Sequence, residues 1–428
     1  MNISLQILLF IAVLVLLSKA LGGLGGRIGM PVVLGELLAG VVLGPTLLNV
    51  WRFSWFSGTT SLPGAGPVSL AAVIDVLAGL GVVVLMFVAG LETDLEVMRS
   101  TVGPALWAAT GGVILPLLGG AALSRVAGFA WRESVFIGTI LTATSVSITA
   151  QTLMNLNKLR SKVGSTILGA AVIDDVLGLL VLSLVIAVEM RSTGHLAGWT
   201  GVAQTVGRIA IFSGLAFWLG PRFIRFIFQQ ARHLHGPHTV VAVALVICFI
   251  FAFLAESLGG MASITGAYLA GLFVAATPHH KEIIDDLRSM TNSFFGPLFF
   301  VSIGLEINAR HLGGHFGFFA LILLVAILGK VLGCGLGTWA NAFSVRDSLI
   351  VGVGMIPRGE VGLITASIGY AAGLVSGEVY SLVVVLVLAT TLLTPVMLRY
   401  CTSITASETG TPEGTPVLAE VSMDQPSE

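Results

Sequence analysis

The chain has 428 residues, of which 55% are hydrophobic and 10% charged, and its mean hydropathy is +0.98. Water-soluble domains carry about 25% charged residues, so this is the composition of an integral membrane protein. Its 21 basic and 22 acidic residues leave no basic surface for a nucleic-acid partner, and Cys248, Cys334 and Cys401 are too far apart for a disulfide framework or a metal spacing.

At roughly 20 apolar residues per crossing, thirteen spans are predicted, at about 3–21, 31–48, 69–91, 103–125, 133–155, 163–189, 202–222, 237–256, 261–277, 291–308, 315–341, 347–371 and 378–399. The first lacks the basic lead and small-residue cleavage site of a secretory signal and reads as a membrane helix. With the N-terminus outside, thirteen Lys and Arg fall on one side and six on the other. Cytoplasmic loops collect bases, so the expected protein is multi-pass in the cell (inner) membrane, N-terminus out and C-terminus in.

Along the chain, Lys19 ends the first span, and Glu36 is the only ion of the second. Glu36 reads as a hydrogen-bonded acid near a helix start, with the ion path as its alternative. Glu92 and Asp94 read as solvated acids at the end of span three. Span five contains Thr142-Ala143-Thr144-Ser145 within a run of five hydroxyls in nine residues. Such side chains can satisfy backbone groups where a transmembrane helix unwinds; plain interhelical hydrogen bonding is the alternative.

Span six carries Ile173-Asp174-Asp175-Val176 in an otherwise apolar run. Ionised groups at this depth are costly and mark partners, cavities or ion paths. Adjacent helical residues point about 100° apart, so one carboxylate can meet a neighbouring helix while the other faces a polar cavity. Spans seven to nine have no ionisable residue in their middles, and span nine reads as a small-residue packing surface. The segment from His279 to Arg288 reads as a cytoplasmic amphipathic stretch. All eight histidines fall in loops, solvated, with pH sensing as the alternative.

Span eleven carries Lys330 at its centre, an ammonium that needs an anion or a shifted protonation equilibrium. Span twelve contains Pro357-Arg358-Gly359-Glu360, where proline removes a backbone donor and glycine tolerates irregular dihedrals, so this helix too is expected to break. Arg358 and Glu360 are expected to neutralise each other or the exposed half-helix ends. After Arg399 the chain turns polar, and 401–428 is read as a disordered cytoplasmic tail.

The fold class expected is an all-α polytopic membrane protein. Thirteen spans divide as six, a linker and six, the arithmetic of an inverted repeat in which spans five and twelve become equivalent crossing, discontinuous helices. No Walker-type nucleotide loop is present, and a carboxylate reached alternately from two sides can trade a proton for a hard cation. If Lys330 pairs with one aspartate, the other is left for the cation, and the three groups titrate as a coupled set.

The stretches Ala170-Ala171-Val172-Ile173-Asp174-Asp175-Val176-Leu177-Gly178, Gly329-Lys330-Val331-Leu332-Gly333 and Pro357-Arg358-Gly359-Glu360-Val361-Gly362-Leu363 resemble the motifs of monovalent cation:proton antiporters, most closely the NapA-like sodium/proton antiporters. The resemblance runs from about Gly25 to Arg399. It implies that Asp174 pairs with Lys330 and that Asp175 is the principal carrier of Na+ (or Li+) and H+, with Asp174 the alternative cation ligand. It also implies that Thr142, Ala143, Thr144 and Ser145 lie at the unwound crossing, supported by Arg358 and Glu360.

On the same resemblance, 1–400 is the transporter domain. Its core (about 103–189 and 315–399) moves as an elevator against dimerisation helices (about 1–91 and 202–308), in a homodimer within the bilayer. Asp-Asp members are associated with electrogenic exchange of about two protons per cation. The activity expected is export of cytoplasmic Na+ against external H+, with no enzymatic chemistry and no cofactor. The alternatives are potassium/proton exchange on the same scaffold and, in another class, a channel or non-transporting sensor. An intramembrane aspartyl protease is disfavoured, because consecutive aspartates on one helix face apart and Lys330 would have no role.

Overall fold

The structure is a computed structural model that describes residues 3–27, 32–53, 55–56, 59–61, 67–192, 198–231, 238–305, 316–371 and 373–408. Helices occupy each predicted span. The first three, α1 (Ile3–Arg27), α2 (Val32–Leu43) and α3 (Leu70–Glu92), are interrupted by a small antiparallel ribbon, β1 (Thr59–Ser61) with β2 (Pro67–Ser69). The Ser69 hydroxyl, capping the Ala72 amide at 3.2 Å, starts α3 where the ribbon ends. A short α4 (Leu95–Ser100), capped by Asp94, leads to α5 (Val102–Val126).

Span five is two half-helices, α6 (Trp131–Ile140) and α7 (Val146–Asn155), followed by the long α8 (Lys162–Ser192) and α9 (Gly198–Ala231). Next, α10 (Thr239–Leu254) ends in a π-helical turn, Ala255–Gly259, before α11 (Ser263–Ala275). The mixed-charge stretch forms α12 (His280–Met290), burying Ile283, Ile284 and Leu287 along one face, as expected of an amphipathic helix. A second π-helical turn, Thr291–Phe295, leads to α13 (Gly296–Leu305), and α14 (Phe316–Trp339) carries Lys330. Span twelve is also split, into α15 (Val345–Gly354) and α16 (Glu360–Ala371), before α17 (Gly377–Glu408).

Among the described residues, eight helical stretches are long and apolar enough to cross a membrane. With the shorter apolar helices they make an all-α polytopic membrane protein, apart from the ribbon. The packing falls into two groups. In one, α5 packs on α14, α6 and α8, α14 on α15, and α17 on α15 and α16. In the other, α3 packs on α11 and α13, α2 on α1 and α13, and α10 on α11. Close approach inside the first group depends on small residues, since a Cβ on Gly111 or Gly333 would run into the other's backbone.

One boundary differs from expectation. Helix α17 continues beyond residue 400 to Glu408, where a disordered tail was expected, because an established helix propagates at little cost. Residues 409–428, His233 and His235 lie outside the described residues.

Candidate ion site

The two split helices meet at their breaks. Residues 141–145 lie between α6 and α7, residues 355–359 between α15 and α16, and the Ser145 amide donates to the Pro357 carbonyl at 2.8 Å. The Thr149 hydroxyl donates to the Gly354 carbonyl at 2.6 Å, closing the crossing from the α7 side. Gly359 is needed there, because an added Cβ would stand 2.5 Å from Ser145 Oγ. Two hydroxyls of the run, those of Thr142 and Thr149, take up carbonyls at the ends of half-helices.

The predicted supporting residues divide by partner. Thr142 Oγ1 bonds the Thr139 carbonyl at 2.8 Å, and Ser145 Oγ shares a 3.0 Å bond with Ser147 Oγ. Ala143 contributes its carbonyl, which accepts from Arg358 Nη1. Thr144 Oγ1 is buried and has no hydrogen-bond partner among the described residues. It is an unclaimed oxygen in the crossing itself.

Arg358 is 1% exposed and, of the two roles expected of it, meets the exposed end of a half-helix. Its guanidinium donates to the Ala143 carbonyl and, at 3.2 Å, to the Ala326 carbonyl on α14. It therefore compensates the C-terminal end of a half-helix, where unpaired carbonyls gather. Its backbone is held as well, by the Thr390 and Thr391 hydroxyls of α17. The Glu360 side chain lies outside the described residues.

The two aspartates have different surroundings. Asp174 is 2% exposed and receives Lys330 Nζ at 2.9 and 3.1 Å on its two oxygens, with Lys330 at 0% exposure. A buried ion pair is tolerated when its geometry is this close. Asp175, rotated about 100° around the helix, is only half-buried and lines a cavity of about 440 Å³ with Asp75, Glu256, Ser263, Ser302 and Gly359. Its Oδ2 accepts from Thr265 Oγ1 of α11 at 2.6 Å. Thr265 is a contact the sequence reading missed; the available signal was a hydroxyl within a span of otherwise small and apolar residues.

Two further acids are buried in ion pairs. Glu36 is buried and bonds Lys19 Nζ at 3.2 Å, and Lys19 also donates to the Asn292 carbonyl at 2.6 Å. Glu92 is buried, contrary to the solvated helix end expected, because Arg288 of α12 reaches it with Nε at 2.9 Å. Around that pair lies a cavity of about 670 Å³, lined by residues including Arg160, His280, Asp285 and Asn292. It sits at the end of α3 opposite the Asp175 cavity. His280 begins α12, where burial and the nearby Arg160 charge push its protonation below the ordinary histidine range, against a Leu91 carbonyl bond that raises it.

The family described as "Sodium/hydrogen exchanger, transmembrane" matches residues 7–401. The chain belongs to this exchanger family, one of monovalent cation:proton antiporters. The "Na(+)/H(+)-K(+) antiporter GerN" of Bacillus cereus is 35% identical to the exchanger over 371 residues, covering 87% of this chain and 90% of GerN. The "Na(+)/H(+) antiporter" of Enterococcus hirae is 34% identical over 370 residues, covering 86% and 91%. The exchanger's fold resembles that of the sodium proton antiporter MjNhaP1 from Methanocaldococcus jannaschii at pH 8, with a TM-score of 0.65 and 16% identity over 95% of this chain and 99% of the other.

Proposed function

We propose that the exchanger is a secondary active sodium (lithium)/proton antiporter in which Asp175 carries the cation and the proton in turn. One observation carries this reading: of two adjacent carboxylates, Asp174 is tied to the buried Lys330, whereas Asp175 lines a cavity. A carboxylate in a cavity can be neutralised by H+ or by Na+ but not by both, and that exclusion is the coupling. Hydroxyls and carbonyls at the crossing would complete the cation's shell, with Thr144 Oγ1 as a candidate ligand. Asp174 and Lys330 set the local field and give the second proton of a two-proton, electrogenic cycle a place in the same coupled set.

Alternating access follows if the two packing groups move against each other. The cavity at Asp175 is lined by the ends of α10 and α11 that the charge count puts outside, and the cavity at Glu92 lies on the cytoplasmic side. An elevator of 103–189 and 315–399 against the remaining helices, thirteen crossings in inverted repeats and a homodimer in the cell membrane complete this reading. Export of cytoplasmic Na+ against external H+ is its direction. Potassium/proton exchange is a second reading, supported by the potassium in GerN's name.

The test is collapse of a preset ΔpH in proteoliposomes on adding Na+, Li+ or K+, with wild type and Asp175→Asn side by side. Collapse with Na+ or Li+ in wild type, lost in Asp175→Asn, supports the carrier. A response to K+ alone favours the second reading. No response to any cation across pH 6 to 9 would favour the sensor.

A further inference from the structure

We propose that the Thr265 hydroxyl holds the empty, ionised Asp175 from across the boundary between the two packing groups and lets it go when a cation or proton arrives. The inference rests on Asp175 being the carrier and assigns the other half of the exchanger a part in coupling.

The geometry is that of a charge-assisted bond: Thr265 Oγ1 donates to Asp175 Oδ2 at 2.6 Å, within the range of about 2.5–2.7 Å for hydroxyl to carboxylate. Thr265 is 3% exposed, and its amide bonds the Ala262 carbonyl at 3.0 Å in the first turn of α11, so the hydroxyl is held in place. Helix α11 packs on α3, α10 and α9, and α8, which carries Asp175, packs on α5, α9 and α15, so that α9 touches both while α3 and α10 lie on one side and α5 and α15 on the other. The bond therefore spans two bodies that must slide past each other if the exchanger works as an elevator.

The chemistry makes the bond conditional. A hydroxyl has one proton to give, and the bond is strong only while the acceptor is anionic. Once Asp175 is protonated or bound to Na+, the bond falls to the strength of a neutral one, about half, or the hydroxyl turns to present its oxygen to the cation. An empty carrier is then anchored across the boundary, and a loaded one can move. This discourages return without cargo, the step that would uncouple the two ions.

Several charged groups near Asp175 share its sign or have partners of their own. Asp75 of α3 and Glu256 of the π-helical turn line the same cavity but are acids. Arg208 of α9 is committed to the Ser257 and Leu258 carbonyls, Arg358 to the carbonyls at the crossing, and Lys330 of α14 to Asp174. Tyr268, the ionisable group on α11 itself, faces Thr93.

The test compares wild type, Thr265→Val, Thr265→Ala and Thr265→Ser in proteoliposomes, with Asp175→Asn in parallel. Two quantities are read: the pH at half-maximal Na+-driven exchange, and loss of trapped ²²Na+ without counter-transported protons. The expected result for Val and Ala is a half-maximal pH raised by about one unit, the equivalent of one lost hydrogen bond to a charged group, with ²²Na+ loss up several-fold. Ser should restore both, and Thr265→Ala carries the test if Val fails to fold. An unchanged pH profile and leak in Val or Ala, or a Ser variant displaced as far as Val, overturns the latch. Exchange persisting in Asp175→Asn overturns the carrier; a dead Asp175→Asn beside an unchanged Thr265→Val overturns the latch alone.

Discussion

Lys330 and Asp174 answer a problem visible in the sequence alone: one ammonium at the centre of a span, and few acids at similar depth to receive it. Which aspartate receives it was not legible from spacing, since both sit on one helix; the resemblance to known antiporters named Asp174, and the geometry has Lys330 on it at 2.9 Å. Removing one partner leaves a buried charge uncompensated, at a cost of about 3–5 kcal/mol. Asp174→Asn and Lys330→Gln should therefore each lower the melting temperature of the purified exchanger, while the double variant should melt above either single one. If the double variant's loss equals the sum of the single losses, the two residues do not act as a pair. Thr265 and Arg288 were illegible for a different reason: each partner lies in a distant span, and a lone hydroxyl or loop arginine carries no periodic signal.

Among elements, the two breaks were the most legible feature, because a hydroxyl run and a Pro-Arg-Gly sequence both answer the same need of an interrupted helix for backbone partners. That they cross was expected from the repeat, but which residues meet was not legible, because Ser145 and Gly359 lie more than two hundred residues apart in the chain. Gly359→Ala should push a methyl group into Ser145, whose short side chain has no flexible end to give way. A loss of about 1–3 kcal/mol in stability is expected, as for overpacking elsewhere, together with a large loss of exchange. Adding Ser145→Gly, which empties the space, should recover part of both. No recovery would mean that the crossing is not limited by this contact.

At the same scale, the α12 end of the cytoplasmic-side cavity has a defined response to acid. His280 titrates below its ordinary value of about 6.5, so the folded arrangement prefers the neutral ring. Above that value the ring is neutral in folded and unfolded chains alike and contributes nothing to pH dependence. As pH falls below it, the unfolded chain takes up the proton more readily, and stability is lost until the folded value is passed. His280→Gln, which cannot charge, should melt like wild type at pH 8 and lose less stability than wild type between pH 6.5 and 5. Parallel curves for the two proteins would show that His280 does not titrate in this setting.

For the whole molecule, the proposed division into moving and fixed bodies makes a mechanical claim that local chemistry cannot test. Among the described residues, three of the polar contacts between the packing groups bear on this claim. Thr265 meets Asp175 near the middle, Gln151 Nε2 of α7 meets Asn292 Oδ1 at 3.3 Å, and Arg160 Nε meets the Glu92 carbonyl at 3.1 Å. The last two lie on the side expected to face the cytoplasm, so they would have to part for Asp175 to be reached from there. With Cys248, Cys334 and Cys401 replaced, the pair Gln151→Cys and Asn292→Cys can be joined by a short bis-methanethiosulfonate linker. Joining them should stop ΔpH-coupled Na+ exchange, and reductant should restore it, because the linker holds the halves in the arrangement seen here. The single-cysteine variants should keep exchanging after the same treatment. Full exchange in a population verified as cross-linked would mean that α7 and the π-helical turn before α13 do not separate during the cycle, and the sliding boundary would have to be drawn elsewhere.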